Sequence, residues 1–174
     1  MPAADPLTLR DATPSDRPFL LALYASTRAA EFAPLGWPVE MERAFMRLQF
    51  EAQRGDYERR HPQARCRIVE LQRCPVGRLW TARDGERLLV LDLSVVAELR
   101  GQGLGGECLR RVQRQAAADG LAVALQVVAG NPAQRLYERL GFRTVGDDGV
   151  RRAMAWRPGA VPADASEETH HEQA

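Results

Sequence analysis

The run Leu88-Leu89-Val90-Leu91-Asp92-Leu93-Ser94-Val95-Val96, followed almost at once by Arg100-Gly101-Gln102-Gly103-Leu104-Gly105-Gly106, constrains this chain more than any other stretch. Nearly continuous Leu and Val read as a strand buried in a sheet. Four glycines then lead into a segment with helical spacing. Glycine adopts positive φ at little cost and lets backbone approach a ligand closely. The first amides of the helix that follows have no intrahelical partners and lie at the positive end of its dipole. Strand, glycine loop and helix start together make an anion cradle suited to a phosphate or pyrophosphate.

Several readings of that cradle compete. The simplest is a tight turn. Gly101, Gly103 and Gly106 also fit the G-x-G-x-x-G of a dinucleotide site, which would make the chain an NAD-binding oxidoreductase. Such a site expects an acid about 20 residues on, at the end of the next strand. Here Leu121 to Val128 runs into Ala129-Gly130 with no carboxylate, and hairpin signals rather than βαβ units lie upstream. A phosphate loop ending in G-K-[ST] is excluded, because the chain contains no lysine.

With 174 residues the chain suits one domain, expected over residues 1–157, with a tail over 158–174 that has no periodic apolar face and reads as disordered. A hydrophobic share of 45% and a net charge of +1 exclude a general attraction to nucleic acid. No apolar stretch is long enough to span a bilayer, and Met1-Pro2-Ala3-Ala4-Asp5 is unlike a signal peptide. Cys66, Cys74 and Cys108 are odd in number and match no zinc spacing, so no metal is expected. Cys66 and Cys108 read as small core residues and Cys74 as a turn residue, consistent with a reducing, cytoplasmic setting.

Strands are expected at Leu7 to Arg10, Cys66 to Leu71, Val76 to Ala82 and Arg87 to Val96, with turns at Arg73-Cys74-Pro75 and Asp84-Gly85. Thr13-Pro14-Ser15-Asp16 starts a helix that reaches about Ala30. A second helix is expected from Val39 to Arg54, with Met41, Phe45, Leu48 and Ala52 on its apolar stripe and Gly55 as its interruption. Gly105 to Ala118 forms a third, and Leu121 to Val128 a strand parallel to its predecessor. Asn131 caps the last helix, which Gly141 ends. A hairpin around Gly146-Asp147-Asp148-Gly149 closes the chain. The order is βααβββαβαββ.

A second motif, Asn131-Pro132-Ala133-Gln134-Arg135-Leu136-Tyr137-Glu138-Arg139-Leu140-Gly141-Phe142, follows one helix and one strand after the first. The pair resembles the Gcn5-related N-acetyltransferase (GNAT) superfamily. Its acetyl-CoA loop reads Q/R-x-x-G-x-G/A, matched by Arg100, Gly103 and Gly105. Its next helix reads N-x-x-A-x-x-x-Y-x-x-x-G-F, matched by Asn131, Tyr137, Gly141 and Phe142 with one spacing variant before the tyrosine. The likeness extends from about Leu7 to Trp156. It implies an α/β acyl-CoA N-acyltransferase fold: a mixed, mostly antiparallel sheet, helices on both faces, and a splayed parallel pair of strands at the cofactor. The activity it implies is acetyl transfer from acetyl-CoA to a small-molecule or peptide amine by direct attack. A non-catalytic acyl-CoA sensor on the same fold is the alternative.

The resemblance also assigns roles. The amides from Gln102 to Gly106, with Arg100 and Gly101, would hold the pyrophosphate. The backbone of Leu93, Ser94 and Val95 would pair with the pantetheine arm, with the Val95 N–H as oxyanion donor. Asn131 and Arg135 would contact the cofactor, Asn131 also serving as a cap. Tyr137 would be the general acid for the leaving thiolate, against a core role on an amphipathic helix. Asp92 stands on the same strand face as Ser94, and a carboxylate there is either functional or paired with an arginine. The glutamate that some members use as a base has no match at Leu89. Glu31, Phe32, Trp37, Gln49 and Tyr57 are the candidates for the acceptor pocket. The oligomeric state is open between monomer and homodimer.

Overall fold

The computed structural model describes residues 7–159, so most of the expected tail, with His170 and His171, lies outside the described residues. The elements are β1 (Leu7–Asp11), α1 (Arg17–Phe32), α2 (Val39–Arg60), β2 (Arg65–Leu71), β3 (Cys74–Asp84), β4 (Arg87–Val95), α3 (Leu104–Ala118), β5 (Ala122–Val128), α4 (Ala133–Arg139), β6 (Arg143–Asp147) and β7 (Arg151–Trp156). This is the expected order. Two compact units share the described residues, one over 7–83 and 91–108, the other over 84–90 and 109–159. Both β4 and α3 pass from one unit to the other, and the strand order reads β1-β2-β3-β4-β5-β7-β6.

In the first unit, β1 lies antiparallel to β2 and β2 to β3, the latter register slipping at Val69 and Glu70. Ile68, Val69 and Leu79 are fully buried. Tyr24 of α1 meets Phe50 of α2 with ring centroids 5.8 Å apart, and Met46 completes that cluster. The start of α1 is built as read. Asp16 accepts from the Thr13 N–H at 2.7 Å and from Thr13 Oγ1 at 2.9 Å, and Pro14 opens a single tight turn ahead of the helix.

Three expectations fail on α2 and its surroundings. Gly55 does not interrupt the helix, which runs on to Arg60. An interior glycine costs only about 1 kcal/mol relative to alanine, and Arg59 and Arg60 both bridge Asp56 across that last turn. The stripe Met41, Leu48 and Ala52 is not the core face: α2 buries Met46 and Phe50, while Met41 and Leu48 stay 54% and 65% exposed. Cys66 is half-buried rather than core, unlike buried Cys108.

In the second unit, Arg87 to Val90 of β4 pairs in parallel with Ala122 to Leu125 of β5, as the crossover rule requires. β5 pairs antiparallel with β7, and β6 forms the edge. Leu109, Val112, Val123, Phe142 and Met154 fill the core. Gln113 reaches from α3 to donate to the Leu140 carbonyl at 2.8 Å, and Gly141 leaves α4 at φ 85°. Gly146 lies within β6, at a register slip, rather than in the turn. Elsewhere the reading shifts by a residue or two: positive φ falls on Gln72 and Arg73, so Cys74 and Pro75 begin β3 instead of forming its turn.

Candidate functional site

The glycine loop has the conformation its sequence demands. Gly101 and Gly103 adopt φ of 74° and 83°, a region L side chains rarely enter. The first α3 bond runs from the Glu107 N–H to the Gly103 carbonyl at 3.0 Å. The amides of Leu104, Gly105 and Gly106 therefore precede the intrahelical ladder. They sit at the positive end of a 15-residue helix, where an anion is favoured by about 0.3–1 kcal/mol when exposed. Two side chains stiffen the approach: Gln102 donates to the Glu98 carbonyl at 3.1 Å and Arg100 Nε to the Val95 carbonyl at 3.0 Å. Arg100 thus fastens the loop to the end of β4.

The last residues of β4 alternate in what they offer. The Val96 N–H donates to the Val76 carbonyl of β3 at 2.8 Å, and the Ser94 carbonyl comes so close to Gly77 that a Cβ there would meet it at 2.5 Å. Even-numbered residues therefore address β3. The Leu91 and Val95 carbonyls, of the other parity, accept side-chain bonds instead, from the Tyr57 hydroxyl at 3.2 Å and from Arg100. By this alternation the backbone groups of Leu93 and the Val95 N–H point away from β3. The parallel ladder of β4 ends at Val90. This half of β4 is only half-buried, unlike Leu88 and Val90 before it, so the expectation of a fully buried strand fails beyond Val90.

Asp92 has found an arginine. Arg78, whose side chain is 3% exposed, donates Nε–H to Asp92 Oδ2 at 2.8 Å and an Nη2–H to Gln53 Oε1 at 2.9 Å. The Ser94 hydroxyl donates to the same Asp92 oxygen at 3.1 Å, and the Tyr24 ring lies 5.7 Å from the Arg78 guanidinium carbon. Sequence reasoning left Asp92 either functional or paired with an arginine, and it did not single out Arg78, Gln53 or Tyr24. The signal was an arginine inside the apolar strand Val76 to Ala82, which needs a carboxylate as much as Asp92 needs a cation.

The acceptor candidates divide. Phe32 and Trp37 are brought together, centroids 5.7 Å apart, and Phe45 joins both at 5.3 Å. Phe45 was missed as a site residue because its spacing assigned it to the core. Glu31 is exposed and bridges Arg28 at 3.2 Å, and Gln49 is half-buried. Tyr57 lies apart from the trio in its contacts, edge-on to Trp80 at 5.4 Å.

The second motif belongs to the second unit. Asn131 Oδ1 accepts from the Ala133 N–H at 2.9 Å, the bond expected of a cap, but the cap position itself falls one residue later, at Pro132, and α4 begins at Ala133. Tyr137 is half-buried on α4, its ring tilted against Phe142 at 6.0 Å. Arg135 is exposed. Among the described residues no group of three or more His, Cys, Asp or Glu could hold a metal, and no helix is long and apolar enough to cross a membrane.

Positive-φ glycines, amides ahead of a helix ladder and an extended backbone edge together fit a pyrophosphate followed by a linear arm. They do not fit a dinucleotide fold, since the sheet holds one parallel pair rather than a doubly wound set. Comparison with known proteins gives the same answer. No curated protein sequence matches. A solved PaiA N-acetyltransferase from Thermoplasma acidophilum, in complex with coenzyme A, superposes with a TM-score of 0.67 at 14% identity, over 87% of this chain and 98% of that one. An acetyltransferase from Thermus thermophilus gives 0.63 at 26% identity over 87% and 96%. A Salmonella typhimurium acetyltransferase that modifies the N-terminal serine of ribosomal protein L7/L12 gives 0.64 at 17% over 90% and 97%. The sequence profile of the acetyltransferase (GNAT) family matches residues 24–142, well over half of the chain, and the protein belongs to that family.

Proposed function

We propose that this protein is an N-acetyltransferase that moves an acetyl group from acetyl-CoA to a primary amine of a small molecule or peptide. The carrying observation is the Gly101–Gly106 loop at the end of β4, with its positive φ at Gly101 and Gly103 and its three amides ahead of the α3 ladder. Family membership makes acetyl-CoA the cofactor, and that group supplies the activated thioester.

The chain's own residues take the remaining tasks. The amides of Leu104, Gly105 and Gly106 bind the diphosphate, and the Leu93 and Val95 backbone aligns the extended arm. The Val95 N–H stabilises negative charge as it develops on the reacting oxygen, a contribution of about 3–4 kcal/mol in other acyl-transfer enzymes. The Tyr137 hydroxyl donates a proton to the departing sulfur; a phenol's pKa of about 10 is close enough to a thiol's for that exchange. Asp92, locked to Arg78, is a positioning residue that holds the β4 face rather than a base. Phe32, Trp37 and Phe45 receive an apolar part of the acceptor. The amine attacks in its neutral form without a dedicated carboxylate, and the proton it loses as the C–N bond forms passes to water.

The test pairs calorimetric titration of acetyl-CoA with thiol release across an amine panel, for the wild type and Tyr137→Phe. Because the chain has no lysine, no lysine of its own competes with the acceptor for acetyl groups, and an amine-free control accounts for exchange onto the free cysteines. Turnover with one or more amines, lost by about a hundredfold or more in Tyr137→Phe at unchanged cofactor affinity, supports the assignment. Tight acetyl-CoA binding with no thiol release from any amine indicates a sensor instead, and absence of binding overturns the reading altogether.

A further inference from the structure

Helix α2 carries five acids, and four of them, Glu40, Glu51, Asp56 and Glu58, each bridge an arginine. Glu42 is the exception. Among the described residues it makes no ion pair and no hydrogen bond, although it is half-buried. Its place in the first turn suits an acid, but exposed Glu40 already meets the helix dipole there. Glu42, Phe45, Gln49, Gln53 and Tyr57 follow at steps of three and four, so they share one side of the helix, and all are half-buried. The far end of this row is tied to the sheet. The Tyr57 hydroxyl donates to the Leu91 carbonyl, and Gln53 accepts from Arg78, which holds Asp92. The row therefore runs back toward the start of α2 as β4 runs on toward Val95. From Leu91 to Val95 the strand covers about 13 Å, and the same distance along the helix returns from Tyr57 to about Gln49. This near end is not tied: Gln49, like Glu42, has no hydrogen bond among the described residues, and Phe45 between them meets Phe32 and Trp37.

We propose that Glu42 and Gln49 are the polar contacts of the acceptor, and that the acceptor is a linear diamine. This rests on the acetyl transfer proposed above and names the substrate class of that same site. The Gln49 amide oxygen accepts an N–H from the nitrogen to be acetylated, which is neutral and lies level with Val95. Glu42 stands seven residues further back, about 10 Å along the helix. At that distance its carboxylate takes a second nitrogen, the protonated one at the other end of the molecule. The aromatic rings beside Phe45 cover the methylenes between, and their faces also favour the cation. An extended chain advances about 1.2 Å per bond, so roughly six methylenes span the gap once both side chains lean inward.

The test compares hexamethylenediamine with hexylamine on the full chain, for wild type, Glu42→Gln, Gln49→Met and Glu40→Gln. It reads kcat/KM for acetyl transfer, and calorimetric binding of the diamine to the chain saturated with coenzyme A. Neither Glu42 nor Gln49 bonds another described residue through its side chain, so the variants melt close to wild type. Wild type should favour the diamine by about tenfold or more, the range of one charge-assisted hydrogen bond. Loss of that preference in Glu42→Gln, its survival in Glu40→Gln, and a fall for both amines alike in Gln49→Met establish the subsite. Equal kcat/KM for the two amines in wild type, a preference that Glu42→Gln keeps, or no effect of Gln49→Met on either amine overturns it. Should neither amine be acetylated, calorimetry decides. Diamine binding that Glu42→Gln weakens by about tenfold upholds the subsite and places the failure in acetyl transfer, whereas absence of diamine binding overturns the subsite whatever other amines react.

Discussion

Arg78 and Asp92 sit on adjacent strands and join through a 2.8 Å bond between Nε and Oδ2, with the arginine side chain 3% exposed and the carboxylate 20%. Through Gln53 and Tyr24 the same guanidinium also reaches α2 and α1. Removing one partner of a buried pair strands the other, and that usually costs about 3–5 kcal/mol, whereas replacing both by apolar groups is nearly neutral. Arg78→Met is therefore expected to lose about 3 kcal/mol in urea denaturation, and Arg78→Met with Asp92→Leu to recover most of that loss. If Asp92 only positions β4, Asp92→Asn keeps the shape of the pH–rate profile. Loss of its acidic limb would make Asp92 a base.

Two glycines near the cofactor strand are required for different reasons, and alanine separates them. At Gly77 a Cβ would press within 2.5 Å of the Ser94 carbonyl, which forces β3 and β4 apart. Overpacking of this kind costs about 1–3 kcal/mol, and the shift reaches Val95 through β4, so Gly77→Ala is expected to weaken both stability and acetyl-CoA affinity. At Gly103 a Cβ meets open space, but φ is 83°. Gly103→Ala pays only the left-handed penalty of about 1–2 kcal/mol, or relaxes the loop and loses the amide geometry. Paired denaturation and calorimetry distinguish a packing defect at Gly77 from a conformational one at Gly103.

Asp16 predicts how stability depends on pH. Its carboxyl is held far below the ordinary range, first by the Arg10 guanidinium at 2.7 and 2.8 Å and then by the Thr13 N–H and hydroxyl. A depressed folded pKa stabilises above the unfolded value and not below the folded one. The contribution is complete above about pH 5 and declines as pH falls through the ordinary carboxyl value of about 3.9. Asp16→Asn should cost about 2 kcal/mol at pH 7, a deficit that shrinks steadily below pH 4. A deficit independent of pH would mean that Asp16 acts through shape alone.

The fold and the conformation of the glycine loop were legible because both rest on local rules. Alternation marked the strands, glycine marked the positive-φ loop, and the asparagine cap and Gly141 bounded α4. What was not legible depends on partners brought from afar. Nothing in the spacing of Met41, Phe45, Leu48 and Ala52 says that a second, more polar-looking face holding Met46 and Phe50 is the buried one; packing against Tyr24 decides that. Phe45 was hidden for the same reason. The identity of Asp92's partner depends on strand register between β3 and β4, which sequence patterns leave free. Gly55 shows a local rule overridden: its helix penalty is real but too small to stop a helix whose later turns are tied by Arg59, Arg60 and the Tyr57–Trp80 contact.

Cysteine chemistry offers a check on burial. Cys66 is shielded enough that desolvation pushes its thiol up to about 11, Cys108 is buried, and Cys74 is exposed. Only the thiolate reacts. Alkylation of the native protein near pH 8 should therefore label Cys74 alone, with three equivalents appearing only in denaturant. Rapid labelling of Cys66 in the native state, mapped by mass spectrometry, would show that β2 is more open than the structure has it.

The aromatic trio makes the acceptor side testable apart from the cofactor side. Phe32, Trp37 and Phe45 touch one another at 5.3–5.7 Å, and none belongs to the glycine loop at the end of β4. Such tilted and edge-on contacts are worth about 0.5–1.5 kcal/mol each beyond their burial. Trp37→Ala removes two of them and so loosens Phe32 and Phe45 as well. If the trio receives an apolar part of the amine, Trp37→Ala raises KM for that amine by about tenfold or more, roughly 1.4 kcal/mol, while acetyl-CoA affinity holds. Glu31→Ala, which breaks only an exposed bridge to Arg28, should leave KM unchanged for a monoamine and raise it only where the acceptor carries a second positive charge. Steady-state kinetics with amines that differ in apolar bulk reads both outcomes, and equal KM values for Trp37→Ala and wild type across the series would remove the trio from the acceptor site.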